Sequence, residues 1–341
     1  MQAILFNFIL SVKMNLRIIK SGLLDTIQDM GRYGWQHLGI NPTGCMDKLS
    51  AQRANILVGN KPGDAVLELH FPSSELFFEI PVLIAITGAD FSVHINGEEI
   101  PLSHPVLLSK FSIVQFRKLE KGARAYLAIK GSFNTPVWLD SFSTHIKAAT
   151  GGFKGRALQK DDDIPLHDMP LLSAKSEGKE FHVLPWKAEM QKDELLPWEV
   201  WVLPGNEWST LTNESKEHFI DQRFIISNQS DRMGYQLKGD PLVSDNKEEL
   251  ISSAVNFGTI QLLPDGQLII LMADHQTTGG YPRIAHVISA HHSKLGQLHA
   301  GEIIRFKMTN IATAEELFMK QQQHLLQLQN ACSFRLDEFF K

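Results

Sequence analysis

Cysteine is scarce in this chain: Cys45 and Cys332 are the two among 341 residues. Two thiols so far apart build no disulfide framework, which fits a reducing, cytoplasmic compartment. Neither sign of charge dominates. Lys and Arg number 33 against 38 Asp and Glu, for a formal net charge of −5. There is no concentrated basic block, and this disfavours nucleic-acid binding, which needs a surface that neutralises phosphates. Long apolar runs are missing too. Residues 3–10 are apolar but too few to span a bilayer. No basic segment precedes them and no small-residue cleavage site follows, so they do not read as a signal peptide. The expectation is an N-terminal extension over residues 1–13, with no membrane association.

Familiar catalytic signatures are absent as well. There is no G-x-x-x-x-G-K-[ST] phosphate loop, and GGFKGR at 151–156 is too compact to be one. There is no G-x-S-x-G elbow and no H-E-x-x-H. A biotin-carrying lysine lies between two methionines in a hairpin. Lys13-Met14 and Met319-Lys320 each offer half of that pattern, so no covalent biotin is expected. His286, His291, His292 and His299 cluster in sequence. Their spacing matches no standard zinc pattern and no cysteine joins them, so no metal site is expected.

What is present is β structure. The length predicts about two domains, and 43% hydrophobic residues suffice for a sizeable core. Short strands are predicted at 84–87, 91–95, 106–108, 112–116, 125–129, 259–263 and 267–272. Asn96-Gly97 signals a type I′ hairpin, and Asp265-Gly266 marks another. Many short strands with turn signals between them point to barrels or sandwiches, not a βαβ fold. Helices look few. One is predicted over residues 46–58, with Asp47 either capping it or serving catalysis. A capping box at Thr313-Ala314-Glu315-Glu316 opens another, through about Leu328. A polar, charged stretch near 161–196 reads as the link between two β-rich halves, with room for one paired strand inside it.

The stretch DHQTTGGYP at 274–282 is the richest in chemistry. It follows an apolar strand and packs a carboxylate, an amide, two hydroxyls, two glycines and a phenol into one turn. Paired glycines permit positive φ or close approach of a ligand to the backbone. The neighbouring side chains supply donors and acceptors. A tight turn with satisfied side chains is the alternative.

This stretch resembles a hallmark of the allophanate hydrolase subunit 2 family, also called KipA-like or biotin-dependent carboxyltransferase-like proteins. Other pieces agree in the same order: GLLDTIQDMGRYG at 22–34, GCMD at 44–47, ANILVGN at 54–60, ITGAD at 86–90, GGFKGR at 151–156, SDRMGY at 230–235 and GTIQ at 258–261. The resemblance runs from about Gly22 to Phe306. It implies a mainly β fold of two cyclophilin-like β-barrel domains with few helices. The expected boundaries are 14–165 for the first barrel, 166–195 for the linker, 196–312 for the second barrel and 313–341 for a C-terminal helix and tail. Relatives more often read I-x-A-D-L where this chain has ISAHH at 288–292. If that position touches substrate in relatives, His291 and His292 change substrate or partner choice here.

The candidate site residues follow from these motifs. Asp274 is the expected carboxylate for proton handling. Gln28 and Gln276 can pair with a lactam or ureido group, because each amide offers donor and acceptor, or they can bond to loop backbone. Arg32 and Arg232 each lie near an Asp. Each either fixes a loop as an ion pair or presents its fork to a substrate carboxylate. Thr277, Thr278, Gly279, Gly280 and Tyr281 complete the expected substrate-binding loop.

For free-standing members of this size, the resemblance implies a part in an ATP-dependent 5-oxoprolinase that converts 5-oxo-L-proline to L-glutamate. The implied partners are a KipI-like protein and a LamB/YcsF-like protein, with ATP shared with or held by them. A carboxyltransferase component acting on urea with biotin on a partner protein is the second expectation. A non-enzymatic regulator binding a KipI-like protein is the third.

Overall fold

A computed structural model describes residues 14–167, 179–188, 198–245 and 250–340. The expected extension at 1–13 lies outside the described residues, as does part of the expected linker.

The first half is built from two six-stranded antiparallel sheets. One runs in the order Asp163–Pro165, Asn15–Lys20, Glu75–Phe78, Ser112–Phe116, Val93–Ile95, Glu98–Glu99. The other runs Phe181–Val183, Pro105–Leu108, Val82–Asp90, Lys121–Ile129, Val66–His70, Thr26–Gln28. Side chains alternate across a strand, so Val82, Ile84 and Ile86 enter the core between the sheets while Leu83 and Ala85 face away. That second face is also buried, which is why residues 82–86 read as a continuous apolar run. Two helices cover it: α1 (Lys48–Leu57) with Ala51, Ala54 and Leu57, and a long C-terminal helix with Leu325, Cys332 and Leu336.

The second half is a closed seven-stranded barrel. Its order is Glu199–Pro204, Arg283–Val287, Thr259–Leu262, Leu268–Leu271, Gly234–Lys238, Phe224–Ile226, Ile303–Met308. The last strand closes the barrel by pairing parallel to the first, Glu199 opposite Arg305. Met46, from the first half, is buried within this barrel's apolar cluster. Helices α2 (Asn213–Asp221) and α3 (His292–Gly296) flank the barrel, and a two-residue ribbon pairs Ser253–Ala254 with Thr278–Gly279.

Several local expectations meet the structure directly. Asn96 and Gly97 take φ 50° and 95° between Val93–Ile95 and Glu98–Glu99, as a type I′ hairpin requires. Asp47 caps α1 by accepting from Ser50 N–H at 3.0 Å. Two expectations need correction. The C-terminal helix, α4, spans Ile311–Phe340, starting earlier and ending later than predicted. Its N-terminus is held by Asn310 Oδ1, which accepts from Thr313 N–H at 2.9 Å, in place of the capping box. The strand expected over 84–87 runs from Val82 to Asp90. Within the expected linker, Phe181–Val183 pairs with Pro105–Leu108 and so belongs to a first-half sheet.

Candidate functional site

Arg232 and Asp274 meet at the junction of the halves. Arg232 sits in the loop before Gly234–Lys238, and Asp274 follows Leu268–Leu271, the strand paired with it. Adjacent strands bring the two loops together, and Asp274 N–H donates to Arg232 O at 2.7 Å. The side chains then form a two-pronged pair. Arg232 Nε and Nη2 each lie 3.0 Å from an Asp274 carboxylate oxygen. Nη2 also donates to Gly44 O at 2.6 Å, and Nη1 donates to Glu68 Oε1.

Glu68 is fully buried in the strand Val66–His70. Its other oxygen accepts from Tyr126 Oη at 2.9 Å and Met46 N–H at 2.8 Å. Burial pushes its carboxyl toward the neutral form. The Arg232 charge, aided by His70 and Arg124, outweighs that and holds it below the usual carboxylate range. Burial likewise opposes the Arg232 charge, and Asp274 and Glu68 overcome it. The result is a guanidinium shared between two carboxylates, buried with all three groups bonded. Such a cluster adds little net stability, but losing one member is costly.

Gln28 and Arg32 lie in the layer supporting this pair. Gln28 is fully buried and its Nε2 donates to Thr26 Oγ1 at 3.0 Å and Thr144 O at 3.1 Å. Arg32 is also fully buried. It donates to Trp138 O at 3.1 Å, Thr43 Oγ1 at 3.0 Å and Ser143 O at 2.7 Å, with its guanidinium 4.2 Å from the Trp138 ring centre. Burial lowers its pKa, with Asp29 and Asp274 opposing. Asp29 ties the same loops by accepting from Ser141, Ser143, Phe142 N–H and Gly31 N–H. Both donate to loop residues, while the buried Oε1 of Gln28 accepts no hydrogen bond among the described residues.

The 274–282 stretch forms the outer rim. Gln276, Thr277, Gly279 and Gly280 are half-buried, while Thr278 and Tyr281 are exposed. Neither Gly279 nor Gly280 takes the positive φ that paired glycines permit. Gly279 serves close approach from within: a Cβ there would lie 2.6 Å from Nε2 of Gln261. His275 turns its Nδ1 to Gln276 O at 2.6 Å, and burial lowers its pKa. Asn41 Nδ2 donates to Asp274 O at 2.8 Å, so a first-half loop reaches the rim.

Sequence reasoning missed several of these groups. Glu68 gave one signal, a carboxylate in the middle of an apolar strand. His145, half-buried in a first-half loop, feels the charges of Asp274, Arg32 and Arg232 after the larger effect of burial, which lowers its pKa. Lys147 crosses to Asp231 at 3.1 Å. Lys48 Nζ donates to Tyr33 Oη at 2.5 Å. The Asp274 carboxylate keeps lone pairs beyond its bonds to Arg232. The arrangement can orient a small amide by hydrogen bonds.

Other sequence features go elsewhere. His291 Nδ1 accepts from Trp201 N–H at 2.9 Å, His292 faces Val287 O at 3.3 Å, and His286 lies 3.3 Å from Thr259 Oγ1. Among the described residues no three His, Cys, Asp or Glu gather as a metal site. At Gly151 and Gly152 the space of a Cβ is filled by Ser143 and Thr144, and Arg156 forks onto Asp162 at 2.7 Å. That turn is packed closely against the segment holding Ser143 and Thr144. Lys320 lies within α4, not in a hairpin. No helix among the described residues is long and apolar enough to cross a membrane.

Known proteins share this architecture. The model of the family described as "Carboxyltransferase domain, subdomain A and B" matches residues 38–308. The chain is 32% identical over 303 residues to the 5-oxoprolinase C subunit of Haemophilus influenzae, covering 89% of this chain and 94% of that protein. It is also 32% identical over 313 residues to the Escherichia coli protein of the same name, covering 92% and 97%. Urea amidolyase of Saccharomyces cerevisiae is 29% identical over 94% of this chain, which spans 18% of that longer protein. Among solved structures, Kluyveromyces lactis urea amidolyase superposes with a TM-score of 0.82 at 26% identity, over 93% of this chain and 20% of its own. The fold, the ordered motifs and these matches agree, and the chain belongs to the carboxyltransferase domain, subdomain A and B, family.

Proposed function

We propose that this chain is the C subunit of an ATP-dependent 5-oxoprolinase in the cytoplasm, acting with a KipI-like partner and a LamB/YcsF-like partner to convert 5-oxo-L-proline to L-glutamate. One observation carries the reading. The match to the 5-oxoprolinase C subunits spans nearly the whole of both chains, whereas the urea amidolyase match spans under a fifth of that protein. The role of this chain is to hold the lactam. Asp274, fixed by Arg232, accepts from the lactam N–H, and the rim over Gln276, Thr277, Thr278, Gly279, Gly280 and Tyr281 encloses the ring. ATP is shared with or held by the partner proteins.

A second reading is carboxyl transfer to urea or a related amide from biotin on a partner protein. The superposition on urea amidolyase favours it. One experiment separates the two. The chain is mixed with its KipI-like and LamB/YcsF-like partners, and glutamate and phosphate release is followed with 5-oxo-L-proline and ATP. The expected result is release by the three-protein mixture and none by the chain alone. Turnover by the chain alone, or activity only with a biotin carrier and urea, overturns the proposal.

A further inference from the structure

One glutamine holds the 274–282 rim from beneath. Gln261 lies in the barrel strand Thr259–Leu262. Its neighbours Ile260 and Leu262 enter the barrel core, so Gln261 points to the outer face. The rim lies over that face, and Gln261 is 1% exposed.

Two contacts clamp the amide. Nε2 donates to Tyr281 O at 3.4 Å, and a Cβ on Gly279 would stand 2.6 Å from the same nitrogen. Gly279 is itself held in the ribbon, opposite Ser253, and the next barrel residue, Leu262, donates its N–H to Pro282 O at 2.9 Å. The Gln276 amide comes to the same place, with its Nε2 3.5 Å from where that Cβ would be. Among the described residues the Gln276 side chain makes no hydrogen bond, so its donors and its acceptor remain for a ligand.

Stability alone does not account for Gln261. With Nε2 turned to the Tyr281 carbonyl, Oε1 is buried and has no donor among the described residues. A buried acceptor without a partner is a cost that an apolar side chain of the same shape avoids. What the amide supplies is position. It fills the space that Gly279 leaves and fixes how the stretch from Gln276 to Tyr281 stands over the barrel. Placement matters at this scale, since a shift of about 1 Å in a group that orients substrate can cost about a hundredfold in rate.

We infer that Gln261 is a positioning residue for the amide substrate: seated against Gly279 and Tyr281 O, it sets the place of the Gln276 amide, and residue 279 is glycine so that it fits. For the identity of the substrate this rests on the 5-oxoprolinase reading.

The test uses the assembled three-protein enzyme. Gln261→Ala raises KM for 5-oxo-L-proline about tenfold or more, with kcat within about twofold. Gly279→Ala pushes the same amide aside and also raises KM. The double variant has a lower KM than Gly279→Ala alone, because the new methyl then stands where the amide was. Gln261→Met keeps the bulk and the melting temperature, and still raises KM, because the bond to Tyr281 O is gone. A second readout needs no turnover: crystal structures of wild type, Gln261→Ala and Gln261→Met, in which the Gln276 amide of each variant is displaced from the barrel strands by about 1 Å or more. While wild type turns over 5-oxo-L-proline, an unchanged KM in both Gln261 variants, or a double variant no better than Gly279→Ala, overturns the inference and leaves the oxoprolinase assignment standing. If wild type does not turn over 5-oxo-L-proline, the assignment fails and the crystal structures decide the inference: a displaced Gln276 supports it, and one that stays in place overturns it.

Discussion

Arg124 of the first half and Tyr235 of the second bond directly across the junction, Nη1 to Oη at 2.9 Å. Arg124 also donates to Gly296 O at 2.8 Å, and Tyr235 Oη donates to Leu298 O at 2.9 Å. Arg232 makes the reverse crossing, from the barrel to Glu68 and the Gly44 carbonyl. Each half thus lends a buried cation to acceptors of the other. The halves are joined by reciprocal polar bonds as well as by Met46 in the barrel core.

Arg232→Met is expected to destabilise the protein by about 3–5 kcal/mol, because it strands Glu68 and Asp274 without their cation. Urea unfolding at neutral pH measures this. Arg232→Met combined with Glu68→Gln is expected to cost less than the sum of the two single changes, since they share one interaction. A single-variant loss under about 1 kcal/mol would show that the cluster is not a structural hub.

Gly296 tests the junction by sterics. A Cβ added there would lie 2.5 Å from Met46 O, which is backbone and cannot rotate away. Gly296→Ala should cost about 1–3 kcal/mol through overpacking between α3 and the first half. Gly63→Ala is the control, since its Cβ meets only Met30 Cγ at an ordinary 3.6 Å. Equal melting temperatures for the two variants would refute the close approach.

His292 makes stability fall with acid. Burial against Phe257, ring centres 4.6 Å apart, pushes its pKa down to about 4, against the opposing pull of Val287 O. The unfolded chain binds a proton at its ordinary value near 6.5. The stability is therefore present above about pH 6.5 and is lost as pH falls toward about 4, with a total on the order of 1–3 kcal/mol. Urea midpoints at pH 7.5 and pH 5 read the loss. His292→Leu should shrink that difference, and an unchanged difference would assign the acid sensitivity to other groups.

Local features are legible in the sequence where one residue pair decides them. Asn96-Gly97 dictates its turn, and Asp47 its cap. The full length of α4 is not legible, because its buried residues, Leu325, Cys332 and Leu336, form a narrow seam in a glutamine-rich helix. A sparse seam gives little apolar periodicity, so neither end is marked. At the site, proximity of Arg232 to Asp274 follows only once adjacent strands are paired. The Arg232–Glu68 bond spans 164 residues and no spacing rule reaches it. Gly279 reads as an opening toward a ligand, whereas the side chain it admits is Gln261, from a barrel strand.

The docking of α4 onto α1 and a first-half sheet has a consequence for synthesis on the ribosome. The sheet face that Leu325, Cys332 and Leu336 cover is made early, and its cover follows much later in the sequence. At ordinary elongation rates, roughly 10–50 s separate α1 from the middle of α4. For that interval the nascent first half carries an open apolar face. It is a window for chaperone capture or for wrong association, and it closes when α4 emerges and docks.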